Sequence, residues 1–404
     1  MNLNAVIVGH VDHGKSTLIG RLLYDSETLP EDRLAEIQRL LEEYKKRFEF
    51  AYFLDSFEEE LKEERTIDTT RVLFRGKGGN YYTIVDVPGH KEFIKNMLTG
   101  ACHAQVAVLV VSAPEGVQEQ TRRHAFLVHM LGVKNIIVVV NKMDLETYQQ
   151  AAFERVKTET SALLSSLGYS QNIFIPISAM EGDNVYLSSE RMPWYQGPSL
   201  IQVLDSTEPE ETGEKPLRFV VQDVYGADSE RVTVGRVESG ALKTGDELVF
   251  QPSNLRGRVN KIVIFPKEVA KATSGDSIGI HVDCVPSRGD VAGLYSNQPA
   301  AVTSFLGEVA LLEGTLNKGD KLEMKCGTKR ASCEVAEIHQ RINSETGEVI
   351  GRDIDRIGEN EAATIVFRSE PVVVEPFSEI PELGRFIITR GKKNIGAGVI
   401  LENG

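Results

Sequence analysis

The sequence has few cysteines and no long hydrophobic run. Its four cysteines form no CxxC pair and lie near no cluster of histidines, so we predict buried thiols rather than a zinc site or a disulfide framework. No apolar stretch approaches the ~20 residues that a helix needs to cross a bilayer. The N-terminus also lacks the basic start and the long apolar core of a signal peptide. We therefore expect a cytoplasmic protein with no membrane partner.

An excess of positive charge is also missing. The 45 Lys and Arg residues are outnumbered by 59 Asp and Glu residues, and the net charge is −14. Because nonspecific nucleic-acid binding depends on clustered Lys and Arg, this balance argues against a phosphate-tracking surface over the whole molecule, but it is compatible with one basic patch. The 404 residues are too many for one core and predict two to four domains of roughly 100 to 200 residues each.

The first half of the sequence alternates short β-branched runs with segments of helical spacing. The runs lie at residues 5–9, 72–74, 82–86, 106–112, 136–141 and 173–178. Helical spacing separates them, most clearly at residues 118–131 and 153–167. This alternation predicts a mostly parallel sheet with helices on both faces. We place this α/β domain at residues 1–208, with one or two further helices in the charged segment 30–61.

The second half has a different character. Residues 206–216 (STEPEETGEKP) are polar and acidic with two prolines, which is typical of a linker. Beyond them, short alternating runs punctuated by Gly-rich turns predict antiparallel β-barrels. A pause at residues 296–300 divides this half. The predicted fold class is therefore an α/β domain followed by two antiparallel β-barrel domains, at residues 209–298 and 299–404.

The strongest motif lies between the first predicted strand and a helical segment. Residues 9–16 (GHVDHGKS) fit the phosphate-loop pattern G-x-x-x-x-G-K-[ST]. In such loops backbone N–H groups and the helix N-terminus surround the phosphates, so Lys15 would reach the β- and γ-phosphates and the Ser16 hydroxyl would bind Mg²⁺. The predicted phosphate site comprises Gly9, His10, Val11, Asp12, His13, Gly14, Lys15, Ser16 and Thr17.

A second motif, DVPGH, occupies residues 86–90 at the end of a predicted strand. Asp86 can hold Mg²⁺, usually through water, and the Gly89 N–H can bond the γ-phosphate without a side chain in the way. His90 lies where an attacking water must be held. An isolated histidine is more often structural, but the position of His90 in this motif favours a water-positioning role.

The third motif, NKMD at residues 141–144, closes another hydrophobic strand. A carboxylate at Asp144 can accept both the N1–H and the exocyclic amino group of guanine, which adenine cannot match. Asn141 would connect the base loop to the phosphate loop, and Lys142 would lay its stem along the base. A backbone N–H of Ser178 or Ala179 would reach guanine O6. Since all three motifs follow predicted strands, where ligands bind in parallel sheets, we predict a GTP site.

These motifs resemble the elongation factor Tu family, with its archaeal and eukaryotic counterparts. The resemblance rests on residues 8–25, residues 87–101 and NKMD, and with the two β domains it covers nearly the whole chain. Within the family the sequence most resembles the large GTP-binding subunit of bacterial ATP sulfurylase (sulfate adenylyltransferase). The segments that carry this are 50–55 (FAYFLD), 120–124 (QTRRH), 192–200 (MPWYQGPSL) and 287–291 (SRGDV), whereas 217–225, 235–245 and 374–388 resemble translation factors.

The sulfurylase resemblance implies a division of labour. This subunit would hydrolyse GTP with Mg²⁺, while a small catalytic partner subunit joins ATP and sulfate into adenosine 5′-phosphosulfate. The reaction is strongly uphill, and GTP hydrolysis would supply its driving force. Some family members carry a fused adenylylsulfate kinase with its own phosphate loop. The sequence has no second phosphate-loop motif, so we expect no kinase activity.

Two other functions share the same first domain. One is a carrier that delivers aminoacyl-tRNA to ribosomes, for which the β domains need a tRNA-binding surface. Residues 314–327 (GTLNKGDKLEMKCG) lack the Gly-Tyr-x-Pro segment associated with carriers, so this function is the alternative. The other is a regulatory GTP-dependent module with an unrelated partner.

The resemblance also bears on catalysis. It implies that Thr66 binds Mg²⁺ with Ser16 and Asp86, but the family pattern E-R-x-x-G-I-T-I-D is several residues longer than the segment 64–68 (ERTID). Either the chain is truly shorter here or a loop is missing from the sequence, and we favour the second interpretation. The expected mechanism is in-line attack of water on the γ-phosphate. The predicted catalytic residues are His90, Lys15 and Gly89.

Overall fold

The structure is a computed structural model that describes most of the chain. The described residues are 2–28, 71–76, 79–86, 104–207, 215–226, 231–344 and 347–404. By internal contacts the chain forms two units, residues 1–209 with 344–347 and residues 210–343 with 348–404. The helices predicted within residues 30–61 lie outside the described residues, as does most of the predicted linker.

Six strands of the first unit form one sheet. They are β1 (Asn2–Gly9), β2 (Arg71–Arg75), β3 (Tyr81–Asp86), β4 (Val106–Ser112), β5 (Asn135–Asn141) and β6 (Ile173–Pro176). Their order across the sheet is β2-β3-β1-β4-β5-β6, and every neighbouring pair is parallel except β2 and β3. Strand β4 is buried along its whole length, as expected for a central strand that is covered on both faces.

Helices follow the strands. They are α1 (Lys15–Asp25), α2 (Glu119–Met130), α3 (Gln150–Ser166) and α4 (Leu200–Ser206). Capping boxes begin α2, through Gln118 and Thr121, and α4, through Ser199 and Gln202. These reciprocal bonds satisfy backbone N–H groups that a helix start otherwise leaves unpaired.

The first half of the second unit is a closed antiparallel barrel. Its strands are β7 (Arg218–Tyr225), β8 (Val232–Ser239), β9 (Ala241–Lys243), β10 (Glu247–Gln251), β11 (Leu255–Ile264), β12 (Lys267–Val269), β13 (Lys271–Thr273), β14 (Ser277–Val282) and β15 (Val291–Leu294). The main sheet runs β10-β15-β7-β8-β14-β11-β12, and pairing of β10 with β11 closes the ring. Closure leaves no unpaired edge among the six ring strands.

A second barrel follows a 3₁₀ turn at Tyr295–Asn297. Its strands are β16 (Ala301–Leu311), β17 (Leu316–Asn317), β18 (Lys321–Cys326), β19 (Lys329–Asn343), β20 (Val349–Ile354), β21 (Arg356–Ile357), β22 (Glu361–Val373), β23 (Arg385–Arg390) and β24 (Lys393–Asn403). The main sheet runs β18-β23-β24-β16-β22-β19-β20, and pairing of β18 with β19 closes it. The two barrels therefore repeat one architecture.

A buried ion pair joins the two barrels of the second unit. Arg218 Nε in β7 donates to Glu375 Oε1 just after β22, at 2.5 Å, and both side chains are largely buried. Arg218 Nη1 also donates to the Leu217 and Asn297 carbonyl oxygens. Apolar side chains from both barrels pack nearby, namely Val220, Val291, Val373, Ile380 and Leu383. Every charged group of this junction is therefore paired inside the unit.

The predicted fold class is confirmed, since an α/β domain with a mostly parallel sheet precedes two antiparallel barrels. The predicted boundaries at 208/209 and 298/299 stay predictions. Cys326 and Cys333 are buried, Cys284 is half-buried, and Cys102 lies outside the described residues. Within the part of the chain that the structure describes, no helix is long and apolar enough to span a membrane.

Candidate nucleotide-binding site

The loop between β1 and α1 has a backbone that only glycine accommodates at two positions. Gly9 has φ +148°, and a Cβ there would lie 2.3 Å from the Val110 carbonyl oxygen. Gly14 has φ +89°, and a Cβ there would lie 2.3 Å from Asn141 Nδ2. Asp12, between them, also has a positive φ of 60°. The sequence pattern thus has a steric cause, because the loop packs directly against β4 and the end of β5.

The N-terminus of α1 is prepared for an anion. Gly14 is the N-cap and supplies no side-chain hydrogen bond, and the first turn contains no acidic residue. No side chain of the N-cap residue therefore competes for the first N–H groups of the helix. Together with the positive end of the helix dipole, these donors suit a phosphate group. Ser16 and Thr17 lie in this first turn.

Lys15 places its amino group over the loop. Its Nζ donates to the Gly9 carbonyl oxygen at 2.9 Å and to the His10 carbonyl oxygen at 2.6 Å. The side chain is buried, so its positive charge lies in a region of low dielectric constant. A phosphate bound at the start of α1 would lie within reach of this charge.

His124 supports the loop from behind. The Gly9 N–H donates to His124 Nδ1 at 3.1 Å, across 115 residues of sequence. Burial lowers the pKa of His124 to about 3, and the nearby positive charge of Lys15 lowers it further, so the ring is neutral at pH 7. In the sequence, His124 was noted only as part of the segment 120–124, and no role was predicted for it. Only the position of a histidine on the helix after β4 could have indicated this contact.

His13 lies on the other side of the loop and is fully buried. Its Nδ1 is 3.2 Å from the Ser112 backbone nitrogen and 3.3 Å from the Val110 carbonyl oxygen. Nδ1 accepts from the Ser112 N–H if it carries no proton and donates to the Val110 oxygen if it carries one. Burial lowers the pKa of His13 to about 4, and the ring is neutral at pH 7. The His10 ring lies 5.1 Å from the His13 ring. The neutral rings of His13 and His124 thus flank the loop, whereas Lys15 carries a positive charge.

Glu115 connects the phosphate side of the site to the base side. Its Oε1 accepts from the Ser112 hydroxyl at 3.1 Å and lies 3.4 Å from Lys142 Nζ, while its Oε2 is 3.7 Å from His13 Nε2. Partial burial alone would raise the pKa of Glu115, but the Ser112 hydrogen bond and the positive charge of Lys142 lower it overall. A charged Glu115 therefore holds the Lys142 amine. Sequence analysis did not identify Glu115.

Asn141 links the base loop to the phosphate loop. Its Nδ2 donates to the His13 carbonyl oxygen at 2.9 Å, and its Oδ1 accepts from the Ala179 N–H at 2.9 Å. The side chain is buried at the end of β5, and Lys142 after it has φ 63°. The sequence predicts that a backbone N–H of Ser178 or Ala179 reaches guanine O6, and the Ala179 N–H is bonded to Asn141 here.

Asp144 lies beside the loop that follows β6. Its Oδ1 accepts a hydrogen bond of 2.6 Å from the Ser178 hydroxyl. The Ser178 backbone N–H donates to the Asp183 carbonyl oxygen and closes a tight turn. The structure therefore brings Asn141, Asp144, Ser178 and Ala179 together at one edge of the sheet.

The Mg²⁺ and water-positioning residues are only partly described. Asp86 ends β3, where its Cα pairs with that of Ile7 in β1, so it lies beside the strand that leads into the phosphate loop. Thr66, Gly89 and His90, for which the sequence predicts roles in Mg²⁺ binding and hydrolysis, lie outside the described residues. Across the described ranges no group of three His, Cys, Asp or Glu side chains is placed to hold a metal ion.

Comparison with known families matches both ends of the chain. The model of the elongation factor Tu GTP-binding domain matches residues 1–210. The model of the GTP-eEF1A C-terminal domain matches residues 304–401. The first match contains every residue of the site described above.

Curated relatives match over the full length. Elongation factor 1-alpha of Pyrococcus furiosus is 40% identical over 418 residues, which cover 99% of this chain and 97% of the relative. Elongation factor 1-alpha of Pyrococcus horikoshii is 41% identical with the same coverage. Among solved structures, that of sup35 complexed with GMPPNP has a TM-score of 0.47 and 24% identity, covering 100% of this chain and 94% of that one. A score that low supports no functional conclusion.

These relatives overturn one prediction. The sequence was assigned to the GTP-binding subunit of ATP sulfurylase with a small catalytic partner subunit, but the full-length relatives at 40% identity are named elongation factor 1-alpha. The sulfurylase function and the sulfurylase partner are therefore wrong, as is the ranking that left tRNA as a partner only under the alternative function. The chain belongs to the family of translational GTPases that includes elongation factor Tu and elongation factor 1-alpha.

Proposed function

We propose that the chain is a translation elongation factor that binds aminoacyl-tRNA in its GTP-bound form and delivers it to the ribosome. One observation carries this proposal. The chain is 40% identical over 99% of its length to a protein named elongation factor 1-alpha. The phosphate loop and the base loops supply the nucleotide dependence that such a carrier needs. A cytoplasmic location stays a prediction of this proposal.

GTP would bind with its phosphates at the start of α1. N–H groups at the start of α1 would donate to the β-phosphate, and Lys15 would move its hydrogen bonds from loop carbonyls toward the β- and γ-phosphates. The loop also contains polar atoms that a nucleotide or its waters could satisfy, because His10 Nδ1 and His124 Nε2 are buried and have no hydrogen-bond partner among the described residues.

The residue types at this end of the sheet also suit Mg²⁺ bound largely through phosphate oxygens and water. Ser16 supplies a hydroxyl next to Lys15, and Asp86 ends the neighbouring strand β3. Mg²⁺ usually keeps several waters and takes one or two protein oxygens, so no all-protein cage is required. Thr66 would complete this set. The ion would neutralise charge on the phosphates when bound.

Guanine would be recognised by Asp144. The carboxylate would accept the N1–H and the amino group, while Lys142, held by Glu115, would lie along the base. Asn141 would keep the base loop at a fixed distance from the phosphate loop. For the Ala179 N–H to reach guanine O6, it would have to exchange or share its bond to Asn141.

Hydrolysis would proceed by in-line attack of water on the γ-phosphate. Lys15 would stabilise charge that develops on the phosphate oxygens, the Gly89 N–H would bond the γ-phosphate, and His90 would orient the water. Because this chemistry is mostly positioning, a His90→Ala variant should keep GTP affinity and lose turnover.

The proposal is tested by aminoacyl-tRNA binding. The purified chain, loaded with GDP or with a non-hydrolysable GTP analogue, is titrated with labelled aminoacyl-tRNA and with the same tRNA after deacylation. We expect tight binding only for aminoacyl-tRNA and only in the GTP-analogue form. Equal binding of both tRNAs, or binding that ignores the nucleotide, would contradict the carrier function. Ribosomes should then accelerate GTP hydrolysis by the complex.

A further inference from the structure

The turn that follows Asp144 has a strained backbone. Thr147 has φ 49° and Tyr148 has φ 59°, so two consecutive residues with side chains adopt left-handed conformations. This region is disfavoured for L-residues and most of all for β-branched ones such as threonine. Strained turns persist only where surrounding contacts hold them, and such turns concentrate at functional sites. Specific contacts must therefore hold this turn in place.

Two hydrogen bonds fix the backbone of the turn at Tyr148. The Tyr148 N–H donates to the Met143 carbonyl oxygen at 2.8 Å, which closes the turn onto the base loop. The Trp194 indole Nε1–H donates to the Tyr148 carbonyl oxygen at 2.9 Å. Trp194 itself packs against Phe153 of α3, with ring centroids 5.4 Å apart. The turn is thus anchored to a segment some fifty residues away in sequence.

Arg191 adds a connection between the two base loops. Its Nη1 lies 2.7 Å from the Tyr148 hydroxyl, 3.2 Å from Glu181 Oε2 and 3.4 Å from Asp183 Oδ2. The guanidinium also lies 5.5 Å from the centroid of the Tyr148 ring. Tyr148 belongs to the loop that carries Asp144, while the two acids belong to the loop that begins at Ser178. One side chain therefore bridges both loops.

The bridged loops meet at Asp144. Ser178 donates its hydroxyl to Asp144 Oδ1, and the same hydroxyl oxygen accepts from the Glu181 N–H at 3.2 Å. The Gly182 N–H donates to the Ser178 carbonyl oxygen at 2.7 Å. A displacement of Glu181 or Asp183 would therefore reach the Asp144 carboxylate through Ser178.

We propose that Arg191 and Trp194 act as positioning residues that clamp the two guanine-site loops together and thereby set the rate at which guanine nucleotides dissociate. The proposal rests on the proposed GTP site, because it acts through Asp144. It assigns a role to the segment between β6 and α4 in retaining the nucleotide. Loss of the clamp frees the strained turn to relax, which misaligns the carboxylate that accepts from guanine.

The test is the dissociation rate of a fluorescent GDP, measured by stopped flow after addition of excess unlabelled GDP. The variants of the full chain are Arg191→Ala, Trp194→Phe, which keeps a ring but loses the N–H, and Tyr148→Phe, which loses only the hydroxyl. Loss of a hydrogen bond in the clamp should accelerate dissociation about fivefold for Arg191→Ala and Trp194→Phe, and less for Tyr148→Phe, with association unchanged. Since the Arg191 side chain is 51% exposed, its replacement leaves the core intact.

Lys157→Ala is the matched control. Lys157 also places a cation over an aromatic ring, 5.6 Å from the Phe153 centroid, and it also pairs with an acid, Glu154, at 3.4 Å. It contacts neither base loop through these interactions. We expect wild-type dissociation of GDP from this variant.

Inosine diphosphate shows whether the clamp acts through Asp144. This nucleotide lacks the exocyclic amino group and so forms one fewer bond to the carboxylate. Arg191→Ala should therefore accelerate its dissociation less than that of GDP. Equal acceleration of both nucleotides, or a GDP dissociation rate within about twofold of wild type in both Arg191→Ala and Trp194→Phe, would overturn the proposal. Failure of the wild-type chain to prefer GDP over ADP would instead refute the proposed nucleotide site.

Discussion

The barrel junction of the second unit and the phosphate loop of the first unit differ in how their buried polar groups are paired. In the second unit the buried charges of Arg218 and Glu375 are paired with each other, and the Arg218 guanidinium also bonds two backbone carbonyls. In the first unit buried nitrogens of His10, His13 and His124 have no hydrogen-bond partner among the described residues. Removing one partner of a buried ion pair is costly because the other charge is left uncompensated, whereas unsatisfied groups beside a glycine-rich loop indicate a place for a ligand. Each unit should therefore respond to a different kind of perturbation.

The largest effect is expected at the junction of the barrels. Glu375→Ala leaves the Arg218 guanidinium buried without its carboxylate, which should lower the free energy of unfolding of the second unit by about 3 to 5 kcal/mol. Denaturant unfolding measures this, and GDP affinity should stay unchanged. Glu268→Ala is the control, because its pair with Lys261 is exposed and should contribute about 0 to 1 kcal/mol. Equal losses in the two variants would remove the contrast between the units.

The next effect is expected in the phosphate loop. Gly14→Ala places a Cβ 2.3 Å from Asn141 Nδ2 and should break the bond from Asn141 to the His13 carbonyl oxygen, so GTP affinity should fall about 100-fold by calorimetry. Gly319→Ala is the matched control, because Gly319 has a similar φ of +85° but nothing within 4 Å of a Cβ. If Gly319→Ala weakens GTP binding as much, the loop geometry is not the cause.

A somewhat smaller effect is expected for base recognition. Asp144→Asn replaces an acceptor of guanine N1–H with an amide that can also donate, which suits the extra carbonyl of xanthine. The ratio of affinities for GTP and xanthosine triphosphate should shift toward xanthosine by roughly 10- to 100-fold. Competition against a fluorescent nucleotide measures the ratio. An unchanged ratio would mean that Asp144 does not contact the base.

The smallest effect concerns pH. His124 and His13 have pKa values lowered by burial to about 3 and about 4, against 6.5 in an unfolded chain. The unfolded state therefore binds more protons at acid pH. The contribution of the two neutral histidines to the free energy of unfolding is complete above pH 6.5 and is lost as the pH falls toward 4. At pH 5 the loss should be roughly 1 to 2 kcal/mol per histidine.

His124→Gln isolates one of these contributions. The variant cannot titrate in this range, so the difference between its free energies of unfolding at pH 7 and pH 5 should be smaller than in the wild type. Denaturant unfolding followed on the first unit gives both values. If the pH dependence is the same in variant and wild type, His124 is not a buried neutral histidine in solution.

Much of the fold follows from sequence periodicity. The run predicted at residues 106–112 coincides with β4, and the helical segment 118–131 contains α2 with its cap at Gln118. Burial on both faces makes such strands continuously apolar, so their bounds are readable from one sequence. Barrel closure also requires β10 to pair with β15 and β18 to pair with β23, and no local pattern encodes these pairings between strands far apart in sequence.

The site was only partly predictable for the same reason. Phosphate-loop glycines and the NKMD motif have fixed spacing, so they can be recognised locally. The contact of His124 with Gly9 and that of Trp194 with Tyr148 join residues far apart in sequence. Thr147 adopts a left-handed backbone conformation, which β-branched residues disfavour. No rule based on sequence would therefore predict this conformation at Thr147.

The wrong choice of relative has a physical explanation. Three of the segments that suggested a sulfurylase subunit contain side chains with structural roles inside their own unit. His124 supports Gly9, Trp194 holds Tyr148, and Asp290 accepts from the N–H groups of Ser287 and Ser253. Contacts of this kind maintain the fold whatever partner binds, so such segments do not discriminate between partners.

The most direct test of the contrast between the two units is amide hydrogen exchange with and without GDP. We predict that GDP slows exchange in residues 9–17 and 141–148, where unsatisfied groups gain partners, and leaves the strands around Arg218 and Glu375 unchanged. ADP should have no effect on either unit. Unchanged exchange in residues 9–17 with GDP, or equal protection by ADP, would contradict the assignment of this loop to a guanine nucleotide.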